Sequence, residues 1–192
     1  MACQVSCITC LNGISCDTCN LVQFRNSTPI TNGLCACLDG YYDSGQAVCQ
    51  PCLYSCLKCT AASVCSECDS TTHRTLSATT CPCDTGFFDT LTNTPTCFAC
   101  STKCLTCVNS TNYCLTCNDS NFRTLSATSN TCVCTARYYD DGINVKCAAC
   151  LYHCATCTNG SRCETCSPTA SRYMASNGQC ACLAGYYDVV DT

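Results

Sequence analysis

The chain has 192 residues, and 31 of them are cysteine, about 16%. Leu, Val, Phe and Ile together also number 31, below the roughly one residue in five on which an ordinary buried core draws, and Trp is absent. With a formal charge of −4, only 11% charged residues and no basic run, composition excludes a conventional globular core, a charge-rich disordered chain and a nucleic-acid footprint, leaving a fold held by its sulfurs.

Met1-Ala2-Cys3-Gln4 has neither the basic nor the apolar region of a signal peptide, and no stretch reaches the roughly 18 apolar residues of a membrane span. The cysteine load nonetheless calls for an oxidising, secretory compartment. The residues are therefore expected to be a mature or excised piece of a longer secreted chain.

From the start of the chain the cysteines fall into octets. Cys3, Cys7, Cys10, Cys16, Cys19, Cys35, Cys37 and Cys49 are followed by Cys52, Cys56, Cys59, Cys65, Cys68, Cys81, Cys83 and Cys97. The spacing recurs in Cys100, Cys104, Cys107, Cys114, Cys117, Cys132, Cys134 and Cys147, then in Cys150, Cys154, Cys157, Cys163, Cys166, Cys180 and Cys182. A period of about 49 residues divides the chain into repeats at 1–51, 52–99, 100–149 and 150–192, the last lacking its eighth cysteine. That partner would fall just beyond Thr192, which leaves Cys182 odd.

Other residues keep the same beat. Arg25, Arg74, Arg123 and Arg172 are evenly spaced, and Gly40-Tyr41-Tyr42-Asp43 returns as Gly86-Phe87-Phe88-Asp89, Arg137-Tyr138-Tyr139-Asp140 and Gly185-Tyr186-Tyr187-Asp188. No window carries a helical apolar stripe. Short strands are expected at 23–25, 74–76, 122–125 and 172–174. Each is followed by turn residues such as Thr31-Asn32-Gly33 or Ser176-Asn177-Gly178 and then by a C-x-C strand, which gives a stack of small β-hairpins.

The opening C-x2-C-x3-C-x2-C (Cys49, Cys52, Cys56, Cys59), the next C-x2-C (Cys65, Cys68) and the Gly-Tyr-Tyr before a cysteine resemble the furin-like cysteine-rich repeats. That family occurs in growth-factor-receptor ectodomains, proprotein convertases, secreted signalling modulators and surface proteins of ciliates and other protists. The family usually has three residues where this chain has one (Ala36 between Cys35 and Cys37), and C-x-C before Gly-Tyr-Tyr is also similar to the end of an EGF-like module. The resemblance implies a small disulfide-rich β fold: an elongated tandem array of hairpin repeats, with almost no helix. It also implies bridges from first to third, second to fourth, fifth to sixth and seventh to eighth cysteine of each octet, leaving Cys182 unpaired. Eight cysteines alone allow 105 pairings, so spacing by itself leaves the choice open.

C-x-x-C pairs serve redox sites and zinc sites. A redox motif needs a helix N-terminus in a βαβ unit, and four-thiolate zinc clusters would add about −2 each to a chain with few balancing cations. Structural disulfides are the better reading, with no metal and no cofactor expected. His73 and His153 are read as surface residues without counterparts in the other repeats, and no base or orienting group marks a nucleophile. One Asp per repeat (Asp43, Asp89, Asp140, Asp188) falls short of the six to eight oxygens of a calcium site and is read as a turn cap. The periodic Arg is read as capping a carbonyl or stacking on an aromatic ring of its own repeat. The neighbouring aromatic rings are read as packing on a bridge or on the next repeat, with an exposed sugar-binding ladder as the minority view.

Asn26, Asn109, Asn118 and Asn159 begin N-glycosylation sequons. Together these features predict a non-enzymatic, glycosylated component of a cell-surface coat or fibre, outside the cell. Self-association or other extracellular proteins are its expected partners. The alternative is a ligand-binding or adhesion fragment of a receptor-type ectodomain, with residues such as Lys103, Tyr113 and His153 as the first to test.

Overall fold

The computed structural model describes residues 3–29, 32–90 and 92–188. The chain divides into two compact units, Met1–Phe98 and Ala99–Thr192, each containing two copies of the repeat. The described residues form nine two-stranded sheets and no α-helix, so the reading of a tandem array of small disulfide-stapled hairpins holds.

Each repeat opens with a hairpin, which in the first, third and fourth carries two cysteines per strand. Cys7–Cys10 pairs with Cys16–Cys19, Cys104–Cys107 with Cys114–Cys117, and Cys154–Asn159 with Arg162–Cys166, all antiparallel and all with register shifts. A two-stranded ribbon is marginal in water, so something besides its ladder must hold it. Bridges supply that: Cys7–Cys16, Cys104–Cys114 and Cys154–Cys163 tie strand to strand. On the open face Thr9 meets Thr18, Thr106 meets Thr116, and Thr156 meets Thr165, with hydroxyl oxygens 2.6, 2.6 and 2.7 Å apart. In the second repeat (Lys58–Ala61 with Val64–Glu67) the same cross-strand place holds Lys58 and Glu67, whose charged ends are 2.6 Å apart.

A single 3₁₀ turn follows in three repeats, at Leu21–Gln23, Ser70–Thr72 and Asp119–Asn121. Asn20, Asp69 and Asn118 cap these turns by accepting the backbone N–H two residues on. The turn ends on a residue in the left-handed region, Phe24, His73 or Phe122, with φ of 58°, 59° and 55°. The expected strands at 23–25 and 74–76 are therefore corrected. Gln23 closes a 3₁₀ turn, Phe24 turns left-handed, and Arg25 makes an isolated bridge to Cys37. Arg74 makes the same bridge to Cys83, whereas Arg123–Leu125 and Arg172–Met174 are strands paired with Cys132–Cys134 and Cys180–Cys182. Thr31 of the first expected turn lies outside the described residues. Gly33 and Gly178 both have positive φ, 72° and 77°, where an L side chain is strained.

Almost every buried apolar side chain is a cysteine. Among the described residues Phe88 is the one other buried hydrophobic. One cluster gathers Cys56, Cys59, Cys65 and Cys81 with Tyr42 of the preceding repeat packed on it. Another gathers Cys154, Cys157, Cys163 and Cys180 with Tyr139 of its preceding repeat. Within each unit the second aromatic of the leading repeat, Tyr42 or Tyr139, thus closes the next repeat's sulfur core. Backbone bonds fix the approach, from Gly40 N–H to the Leu57 carbonyl (2.7 Å) and from Arg137 N–H to the Ala155 carbonyl (2.8 Å).

Candidate functional site

The most elaborate recurring arrangement is centred on the periodic arginine. Its backbone always lies opposite the second cysteine of C-x-C: Cys37, Cys83, Cys134 or Cys182. That register drives the side chain inward. Arg25, Arg74 and Arg123 are 1%, 2% and 1% exposed, and among the described residues only cysteines are otherwise so well covered. Nη1 donates to the carbonyls of Cys35 (2.7 Å), Cys81 (2.9 Å) and Cys132 (3.3 Å). Nε donates to Ala47, Pro95 and Val145, at 3.1, 2.6 and 2.7 Å. Nη2 reaches the carbonyls of Gln46, Thr94 and Asn144. A buried guanidinium is tolerable because its planar fork satisfies several carbonyls at once, which an ammonium could not.

The charge is met by the aspartate of the aromatic-aromatic-Asp triplet. Arg25 pairs with Asp43 at 2.9 Å and Arg123 with Asp140 at 3.0 Å, while Arg74 pairs with Asp89 and Arg172 with Asp188. The aspartate also caps its turn: Asp43 accepts from Gly45 N–H (2.9 Å) and Asp140 from Gly142 N–H (3.1 Å). The Arg25 hydrogen bond holds the Asp43 carboxyl below its usual range, against an opposing push from burial. Asp140 is held much further down, because Lys103 Nζ, 2.6 Å away, joins Arg123 on the same carboxylate.

Lys103 stands immediately before the second cysteine of its repeat. The same place holds Ser6, Ser55 and His153. His153 is therefore not an isolated feature but the fourth repeat's version of a variable position, with Nε2 3.7 Å from Asp188 Oδ1. His73 also has counterparts, contrary to the expectation from sequence. It takes the left-handed place of Phe24 and Phe122, and its ring stacks on Phe87 at 3.9 Å as theirs stack on Tyr41 (4.4 Å) and Tyr138 (4.0 Å). A stack of this kind contributes about 0.5–1.5 kcal/mol, which offsets the strain of a bulky residue at positive φ. The signal was available: the residue before each periodic arginine is aromatic in three repeats of four.

The structure joins the sulfurs of Cys3 and Cys10, Cys19 and Cys35, and Cys37 and Cys49 in the first repeat. In the second it joins Cys52 to Cys59, Cys56 to Cys65, Cys68 to Cys81 and Cys83 to Cys97. The third has Cys100–Cys107, Cys117–Cys132 and Cys134–Cys147, and the fourth Cys150–Cys157 and Cys166–Cys180. Among the described residues Cys182 has no partner. Sulfurs of different bridges crowd together: those of Cys104, Cys114 and Cys132 lie within 4.8 Å of one another. Each is already bonded to another sulfur, and a disulfide sulfur is not the thiolate that binds zinc.

Asn109 and Asn159 are exposed, while Asn26 and Asn118 are half-buried. Asn118 accepts from Ser120 N–H and Oγ as a turn cap, the role Asn20 and Asp69 play without a sequon. Capping alone accounts for Asn118. Asn159 makes the same local bonds with Ser161, at 2.9 and 3.0 Å, at the tip of a hairpin. No helix among the described residues is long and apolar enough to cross a membrane.

The chain is a cysteine-rich repeat protein, and its similarity to known proteins runs the same way. It is 31% identical, over 95% of its length, to Cysteine repeat modular protein 1 of Tetrahymena thermophila. It spans about 8% of that protein's length. No family model and no solved structure matches it.

Proposed function

We propose that this chain is an extracellular structural component, a glycosylated cysteine-rich stretch of a cell-surface coat or fibre. The observation that carries the reading is the recurrence of one Arg–Asp clamp in all four repeats, its arginine buried in three of them, beside the bridges of its repeat. Identical internal framing repeated along a chain serves a spacer or lattice element, whose task is to hold shape outside the cell, better than it serves a catalyst. A furin-like assignment, four repeats at 1–51, 52–99, 100–149 and 150–192, and sugars on Asn109 and Asn159 belong to the same reading. So does self-association, or binding to other extracellular proteins, as the mode of partnership. The name of the relative, a cysteine repeat modular protein, is in keeping with it.

Intact mass with a free-thiol count on natively purified material tests the compartment. The expected result is almost no cysteine that alkylates before reduction, with sugar mass removable by glycosidase. Material whose cysteines alkylate without reductant sinks the extracellular reading. Immunogold labelling of the intact cell then tests the coat: label along the surface supports it, and label confined to scattered receptor-like clusters favours a ligand-binding ectodomain instead.

A further inference from the structure

Where one repeat meets the next, each compact unit has a groove built from equivalent positions, and the two grooves carry opposite charge. In the first unit the groove is lined by Asp39, Gly40, Tyr54, Ser55 and Asp69. In the second, the equivalent places hold Ala136, Arg137, Tyr152, His153 and Ser167, with Arg172 at the back. The two acids have become alanine and serine, the glycine a guanidinium and the serine an imidazole.

Arg137 is the most telling of these changes. The other three repeats have glycine there, Gly40, Gly86 and Gly185, with φ of 84°, 87° and 87°. Arg137 keeps the left-handed conformation at 71°, which costs a residue with a Cβ about 1 kcal/mol. Strain kept at one position where a glycine relieves it elsewhere points to a use for the side chain. The guanidinium carbon lies 5.9 Å from the centre of the Tyr152 ring, and Nη2 donates to the Tyr152 carbonyl at 3.3 Å. Further N–H donors of the fork are left for another acceptor. His153 beside it turns Nε2 toward the Asp188 carboxylate, 3.7 Å away, and its Nδ1 is buried without a hydrogen-bond partner among the described residues, which leaves Arg137 as the free cationic donor. Tyr152 leaves 77% of its surface exposed, a ring available as a platform. The cavity encloses about 390 Å³, within the roughly 300–1,000 Å³ of small-molecule sites and more room than one carboxylate needs.

We propose that this groove binds an anionic sugar, its carboxylate or sulfate held by Arg137 and its ring laid against Tyr152. The site stands apart from the coat reading, since a structural chain and a receptor could each use it.

The test is calorimetric titration of the oxidised chain with methyl glucuronide and a methyl glucoside sulfate, which separate carboxylate from sulfate. Uncharged methyl glucoside and a tetraglutamate peptide are the controls. Binding of either anionic sugar at least tenfold tighter than the neutral one is expected. Arg137→Gly, which restores the residue of the other repeats and should fold unimpaired, is expected to abolish that preference. The proposal is overturned if neither anionic sugar binds better than methyl glucoside, if Arg137→Gly binds as well as the native chain, or if tetraglutamate outcompetes both sugars.

Discussion

The first and third repeats build the same clamp and load it differently. In the first, Arg25 faces Asp43 alone, and the residue before the second cysteine is the buried Ser6. In the third, Arg123 and Lys103 share Asp140. The pair that sets the fold is constant because its guanidinium satisfies carbonyls no other group reaches. The position beside it varies: Lys103 adds a second cation to its carboxylate, whereas Ser6 is buried beside Cys16 and leaves Asp43 to Arg25. Structure and individuality are thus written at adjacent places within each repeat.

The largest effect expected from breaking that comparison is on what the two repeats share. Arg25→Met and Arg123→Met each leave several buried carbonyls and an aspartate without their partner, at a cost of about 3–5 kcal/mol. Amide hydrogen exchange should report loss of protection around Cys35 in one variant and Cys132 in the other, bridges intact. If either variant exchanges like the parent, the clamp is ornamental. A smaller effect follows from what they do not share: Lys103→Ser should cost about 0.2–1 kcal/mol, because the ammonium is part-exposed and solvent screens the pair. The reverse change in the first repeat, Ser6→Lys, should not raise stability, as the serine is buried there; thermal unfolding decides both.

Acid provides the finest distinction. Both Asp43 and Asp140 titrate below their unfolded value of about 3.9, so each clamp contributes fully above that pH and loses its contribution as pH falls through the folded value. Asp140 carries two cations and is depressed further, so the first repeat's clamp should release at a higher pH than the third's. Carboxyl carbon shifts followed by NMR give the order directly, and Lys103→Ser should bring the two titrations closer. An inverted order would mean that Lys103 does not reach Asp140 in solution.

Much of this was legible in the sequence. The cysteine beat, the periodic arginine and the aspartate after paired aromatics all pointed to their places, because each recurs with little change in spacing. The arginine and aspartate were nevertheless read separately. Their bond joins residues 15 to 18 positions apart across a loop, and only their joint recurrence in every repeat hinted at it. The left-handed aromatic escaped for a different reason: positive φ is ordinarily a glycine's sign, and here a ring stack takes over that role at Phe24, His73 and Phe122. The 3₁₀ turn before it is one turn long, too short to leave a periodic trace.

The bridges of the first repeat close loops of 7, 9, 16 and 12 residues, and none reaches into another repeat. Little chain lies outside them. Two residues separate Cys16 from Cys19, one separates Cys35 from Cys37, and two separate Cys49 from Cys52. Tension applied along such a chain passes from sulfur to sulfur and finds hardly any hidden length to draw out, even where the hairpins have let go. The repeat behaves under load as a nearly inextensible cord whose give is released only by a reductant.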